Sequence, residues 1–233
     1  MKTLKGLKEF KGGKYSQWGE AGIIDELLKR LKIKSGSSLE FGAYDGYFAS
    51  NTIHLLESGK WKCTYIEPHD KYAELVKLND KFGDKVQTLN MAVNTRNMRE
   101  YTPGTSLDEI IEKYCPDVDL VSIDIDTFDY YIFKELEYKP KIIIIEINAC
   151  IVPTIEYIDR QNRKLFGSSF LSMLKLGESK GYKLVAATGN CFFVREDLCK
   201  GFEMPEPMSL FDWWYVENEC RIDETNIMTW NGK

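Results

Sequence analysis

Residues 37–67 constrain this chain more than any other stretch. They open with a short apolar run, S-S-L-E-F, and pass through G-A-Y-D-G-Y-F-A-S-N-T into a helical pattern. They close on C-T-Y-I-E, which ends at Glu67. A strand, a glycine turn, a helix and a second strand ending in a carboxylate form the first half of a nucleotide-binding α/β fold. Gly42 and Gly46 allow the backbone to turn sharply and leave room for a ligand. Glu67 stands where an acid can hold both hydroxyls of a ribose.

The remaining pattern extends this unit. Before it, residues 18–33 read as an amphipathic helix with Ile23, Ile24, Leu27, Leu28 and Leu31 at helical spacing. The helix inside the organising stretch runs from near Ser50 and Asn51 to Gly59, and another opens at Pro68 and runs to Gly83. A strand over 86–93 and a polar loop over 94–105 follow. Ser106 and Glu109 have capping-box spacing and start a helix through Tyr114. A fourth strand, D-L-V-S-I-D-I-D, begins at Asp119, and a helix of Phe128, Tyr131, Ile132 and Leu136 leads to a fifth, K-I-I-I-I-E-I-N. Strands this continuously apolar belong to a parallel sheet buried on both faces. The pattern then changes. Residues 149–167 are irregular and long for a connection, as lids and binding loops are. A helix over 169–180 precedes Y-K-L-V-A-A, T-G-N and C-F-F-V-R, a hairpin around Gly189 and Asn190. The expected organisation of 1–233 is a single domain: a lead and helix over 1–36, a core over 37–200 with the lid-like insert 149–167, and a tail over 201–233 that the pattern leaves unassigned.

Composition narrows the function classes. The hydrophobic content of 43% and charged content of 29% are ordinary for a globular chain. No apolar run approaches the roughly 18 residues of a membrane span, and the basic N-terminus lacks a secretory apolar core. The expected location is cytoplasmic. With a net charge of −5 and dense basicity only in the N-terminal lysine run, read as a solvated lead-in, long polyanions such as nucleic acid are poor partners. Cysteines 63, 115, 150, 191, 199 and 220 show no CxxC pair or metal-finger spacing and read as reduced and structural.

Ligands of open α/β sheets bind beyond the carboxyl ends of the strands. Those ends carry Glu40, Gly42 and Asp45, then Glu67, then residues 91–94, then Asp124 and Asp126, then Glu146 and Asn148. Side chains alternate along a strand, so Asp124 and Asp126 share one face, as do Glu146 and Asn148. If strands four and five are neighbours, about 4.8 Å apart, these four oxygen-bearing residues converge. They are candidates for a divalent metal site, Mg²⁺ or Mn²⁺, for general-base or substrate-binding work, or for plain backbone capping. Asp129, in the first turn of the next helix, is a further candidate acid. His54 and His69 read as packed or surface residues. There is no G-x-S-x-G elbow for Ser/His/Asp hydrolysis and no G-x-x-x-x-G-K-[ST] loop for nucleoside triphosphates.

The runs E-F-G-A-Y-D-G-Y-F-A-S-N-T and T-Y-I-E-P resemble the cofactor half of S-adenosylmethionine-dependent methyltransferases. More narrowly, they are similar to the FkbM-like group, whose members mostly methylate hydroxyls of sugars and small natural products. S-Q-W-G-E-A-G-I-I, T-S-L-D-E-I-I, V-S-I-D-I-D-T-F-D-Y, K-I-I-I-I-E-I-N, F-G-S-S-F and N-C-F-F-V-R-E-D-L match in order, over about residues 15–198. The resemblance implies an α/β, Rossmann-like methyltransferase fold. Its sheet has seven mostly parallel strands with an antiparallel terminal hairpin, and helices cover both faces. It implies that Glu40, Gly42, Ala43 and Asp45, with Gly46 and Asn51 in the same run, cradle the amino-acid end of S-adenosylmethionine. Glu67 would bind the ribose, Ala92 would flank the adenine, and Asp124 and Asp126 would border the methyl-transfer site. The implied partner is a small-molecule or glycan acceptor. Rival readings are a nucleic-acid or protein methyltransferase, a nicotinamide-dependent dehydrogenase, and a non-catalytic binding protein that kept the fold. The first lacks an N/D-P-P-Y run after strand four, and the dehydrogenase lacks G-x-G-x-x-G and would set an acid where a diphosphate is repelled.

Overall fold

The computed structural model describes residues 2–68, 71–95, 104–125, 128–159, 167–218 and 221–223. Among these, seven strands form one sheet: β1 (Gly36–Phe41), β2 (Trp61–Ile66), β3 (Val86–Leu89), β4 (Leu120–Ile123), β5 (Ile142–Glu146), β6 (Tyr182–Ala187) and β7 (Asn190–Arg195). Their spatial order is β3-β2-β1-β4-β5-β7-β6. The first five are parallel, and β7 runs antiparallel to both β5 and β6. The expected Rossmann-like sheet with its terminal hairpin is therefore present.

The continuous isoleucine run of β5 shows why the sheet is buried on both sides. Ile143 and Ile145 join the core beneath α5 (Leu107–Tyr114), α6 (Asp129–Glu135) and α7 (Phe170–Ser179). Ile142 and Ile144 face the opposite core with α1 (Glu20–Leu31) and α2 (Ile53–Glu57). All four are at most 1% exposed, so period-two alternation needs apolar residues at every position. The expected capping box forms, with Ser106 and Glu109 exchanging hydrogen bonds at the start of α5.

Several expectations change. The helix expected from Pro68 to Gly83 is two short pieces, α3 (Tyr72–Leu75) and α4 (Leu78–Phe82). Leu75 and Leu78 both pack over Gly46, and a tightened turn between them puts residues three apart on one side. The lysine-rich lead is not merely solvated. Leu4 and Leu7 are buried, Leu4 N–H donates to the Glu203 carbonyl, and Lys8 and Lys11 pair with the buried Asp212. The tail also has a place: Phe211, Tyr215 and Val216 enter the core, the last two on α8 (Trp213–Asn218). Ile151, Val152 and Ile155 of the insert are buried in the same core, while residues 160–166 lie outside the described ones. Cys63, Cys115, Cys191 and Cys199 are free and buried, but Cys150 is disulfide-bonded, against the expectation of reduced thiols throughout. No helix among the described residues is long and apolar enough to cross a membrane.

Gly177 gives a test of the packing. A Cβ there would lie 2.3 Å from Cε1 of Phe193, a fully buried ring. Gly177→Ala gains about 1 kcal/mol of helix propensity but overpacks the core at about 1–3 kcal/mol. Net destabilisation is expected in urea denaturation; a variant more stable than the native chain contradicts this packing.

Candidate functional site

The loop after β1 passes so close to β4 that only glycine fits at its first position. Gly42 has φ 75°, and a Cβ there would lie 1.7 Å from the Asp124 carbonyl oxygen. Gly46, with φ 82°, is roofed by Leu75 and Leu78. Tyr44 and Ala49 also take positive φ, 51° and 54°, a sparsely populated region for residues with side chains. Surrounding bonds hold this strained path.

Three carboxylates supply them. Glu40, 4% exposed, accepts from the hydroxyls of Ser50 and Thr52 and from the backbone N–H of Asn51 and Thr52. Burial pushes its carboxyl above the ordinary value of 4.5, and these donors oppose the shift without cancelling it. Asp45 Oδ1 accepts from the N–H of Tyr47 and Phe48 at 2.8 and 2.7 Å. Glu67 Oε2 accepts from Tyr44 N–H at 2.8 Å, joining the end of β2 to the loop after β1.

Under this loop lies a cavity of about 540 Å³ at the carboxyl ends of the strands. Of the residues singled out in the sequence, Glu40, Gly42, Glu67, Ala92, Asp124 and Glu146 line it. Tyr44 and Phe48 flank it as an exposed aromatic pair, with ring centroids 5.6 Å apart, and Lys71 Nζ lies over the Tyr44 ring. The other candidates lie elsewhere. Ala43 is buried in the core on the α1 side, and Asp45 faces neighbouring surface hollows. Asn51 is buried and donates to Ser122 Oγ at 3.1 Å. Asp129 is buried, accepting from Ile125 N–H at 2.9 Å, so it braces the turn after β4. Asp126 and His69 lie outside the described residues.

A second cavity, of about 300 Å³, adjoins the first and shares Gln17, Asp124 and Glu146 with it. Asn148 lines it, as do Trp18, Asn190 and Tyr215. Sequence reasoning passed over Gln17 and Asn190. The hairpin register pairs Asn190 with Glu146, and directly opposed residues share a sheet face. Glu20, fully buried, ties the two walls together. Its Oε2 accepts from Trp18 N–H and its Oε1 from the Thr188 hydroxyl, whose oxygen accepts from Asn190 N–H. Of the expected metal quartet, Asp124 and Glu146 line both cavities, while Asp126 lies outside the described residues. Asn148, the fourth, opens on the second cavity alone of these two, and the described residues by themselves hold no group of three His, Cys, Asp or Glu able to share an ion.

No family model matches the chain, and no curated protein matches it. Solved structures do. A SAM dependent methyltransferase from Aquifex aeolicus shares 17% identity, with 73% of this chain and 86% of that one covered and a TM-score of 0.41. M. capricolum TrmK in complex with S-adenosyl-homocysteine shares 15%, with 78% and 71% covered and a TM-score of 0.44. The N-terminal domain of EvdMO1 with S-adenosyl-homocysteine bound shares 12%, with 77% and 80% covered and a TM-score of 0.45. Identities and scores this low carry nothing over to the site, whose chemistry must be read from its own residues.

Glu40 yields a pH test. A folded-state value raised above 4.5 means that the folded chain holds this proton more tightly than the unfolded one. The stabilising contribution is complete below pH 4.5 and is lost as pH rises through the folded value. Glu40→Gln fixes a neutral group at this position. The stability of the native chain relative to that variant should therefore fall as the pH is raised from 4.5, read from urea melts of both. A gap that is flat or widens with pH contradicts the assignment.

Proposed function

We propose that the chain is an S-adenosylmethionine-dependent methyltransferase of FkbM-like type, acting on a hydroxyl of a sugar, glycan or small metabolite. The observation that carries this reading is Glu67: an acid at the end of β2, bonded to the loop that Gly42 closes over the cavity. A carboxylate in that position accepts from both hydroxyls of a ribose. Met91, Ala92 and Val93 beyond β3 give an adenine ring an apolar edge. Asp124 and Glu146 line the far side, and no Lys, Arg or His is among the described lining residues. Such a cavity favours a cationic sulfonium and repels a diphosphate, which argues against a nicotinamide dinucleotide. The donor set fits the cofactor, and the missing Cβ at Gly42 lets the loop close against the Asp124 carbonyl beside it.

Bound there, S-adenosylmethionine supplies a methyl group on a good leaving group. The chain's own work is to hold the acceptor oxygen in line with that methyl and to take up its proton. Asp124 and Glu146 line both cavities and are candidates to take up that proton. Asp126, two positions beyond Asp124, is the sequence's candidate for the base, with Asp124 as its partner. Glu40 and Asp45 act one step back, holding the loop rather than the ligand, and Asp129 holds the turn after β4.

The test is incubation of the purified chain with methyl-labelled S-adenosylmethionine and a panel of glycans and metabolites, with and without Mg²⁺. Transfer to a neutral hydroxyl compound is expected. Glu67→Ala should weaken S-adenosylhomocysteine binding by at least about tenfold, roughly 1.4 kcal/mol. A chain that binds NAD but not S-adenosylhomocysteine contradicts the reading.

A further inference from the structure

We propose that the side-chain amide of Gln17 donates to the carboxylate at the amino-acid end of the cofactor. The inference rests on the cofactor reading above and adds to that site a donor from a different element than the glycine loop.

The loop after β1 has little left to offer an anion. The N–H groups of Tyr44, Tyr47, Phe48, Asn51 and Thr52 go to the carboxylates of Glu67, Asp45 and Glu40, and that of Gly46 to the Ala43 carbonyl. A carboxylate brought into the first cavity gives up water and has to be met by a donor. Among the described residues that line this cavity, Gln17 alone carries a side-chain N–H. Its amide has no hydrogen-bond partner among the described residues.

The position of Gln17 agrees with the direction in which the cofactor runs. With the adenine beyond β3 and the ribose on Glu67 at the end of β2, the rest of the molecule extends over β1 towards β4, because the strands lie in the order β3-β2-β1-β4. Gln17 stands at that end. It lines the first cavity, the second together with Asp124 and Glu146, and a third of about 450 Å³ together with Phe48 and Ala49. No other described residue lines all three.

The backbone that carries it is built to hold one place. Residues 12–19 form a loop with tied ends: Gly12 N–H donates to the Gly19 carbonyl at 2.9 Å, and Gly22 N–H to that of Gly12 at 2.8 Å. Only glycine fits this neck. A Cβ on Gly19 would lie 2.6 Å from the Gly12 nitrogen, and one on Gly22 2.1 Å from the Phe10 carbonyl oxygen. On either side of Gln17, Ser16 Oγ accepts from Ala21 N–H and Trp18 N–H donates to the buried Glu20. The neck and these two bonds fix the main chain at residue 17, while its side chain stays exposed to meet a ligand.

The experiment titrates three ligands into the full chain by calorimetry. They are S-adenosylhomocysteine, its decarboxylated analogue, which keeps the ammonium, and 5′-methylthioadenosine, which lacks the amino-acid end. Gln17→Ala should weaken S-adenosylhomocysteine by at least about tenfold and leave the other two within about twofold of the native chain. Gln17→Glu, which keeps the length but removes the N–H, should weaken S-adenosylhomocysteine further and bind the decarboxylated analogue more tightly than the native chain does. A loss shared equally by all three ligands, or unchanged S-adenosylhomocysteine affinity in Gln17→Ala, overturns the assignment of Gln17 alone. Failure of the native chain to bind S-adenosylhomocysteine overturns the cofactor reading and this inference together.

Discussion

The contact between the Gly42 backbone and the Asp124 carbonyl is the constraint on which the rest of the site depends. β1 and β4 are neighbours at the centre of the sheet, and the chain leaves both at the same end. If the loop after β1 carried a side chain at its first position, it would be held away from β4. The cavity would then lose the wall that sets the loop's backbone against Asp124. Every later feature assumes this approach: the Tyr44 N–H turned to Glu67, the aromatic pair at the mouth, and the junction of the two cavities.

Holding a strained loop in place takes polar groups, and the chain uses acids for it. Glu40 and Asp45 are engaged with backbone N–H groups and hydroxyls of the loop. Charge-assisted bonds of this kind are stronger than neutral ones, and they fix positions with positive φ that would otherwise relax. Glu67 does both, holding the Tyr44 N–H and lining the cavity, which Asp124 and Glu146 also line. Glu20 repeats the device on the other side of the sheet's end, joining the N-terminal segment to the β6–β7 turn.

Much of the fold could be read from the chain because its signals are local. Ile142–Ile145 must form a strand buried on both sides, Ser106 and Glu109 can only start a helix, and T-G-N between two apolar runs turns a hairpin. What escaped was set by partners distant in sequence. Nothing near Asn190 says that it lies opposite Glu146, since that follows from β7 inserting between β5 and β6. Gln17 sits just ahead of the helix read over 18–33, with nothing beside it to mark a site, yet it lines both cavities. The Asp212 partners of Lys8 and Lys11 come from the far end of the chain, so a run that reads as solvated is in fact anchored. Asp45 shows the converse: its position in the glycine loop suggested a ligand contact, but its short side chain is taken up by the two N–H groups that follow.

The most direct measurement is a crystal structure of the chain with S-adenosylhomocysteine. The account predicts the ribose hydroxyls on the Glu67 carboxylate, the adenine beside Ala92, and the sulfur facing Asp124 where the two cavities meet. A nucleoside bound elsewhere on the molecule, or lying in this cavity with its ribose turned away from Glu67, would contradict it.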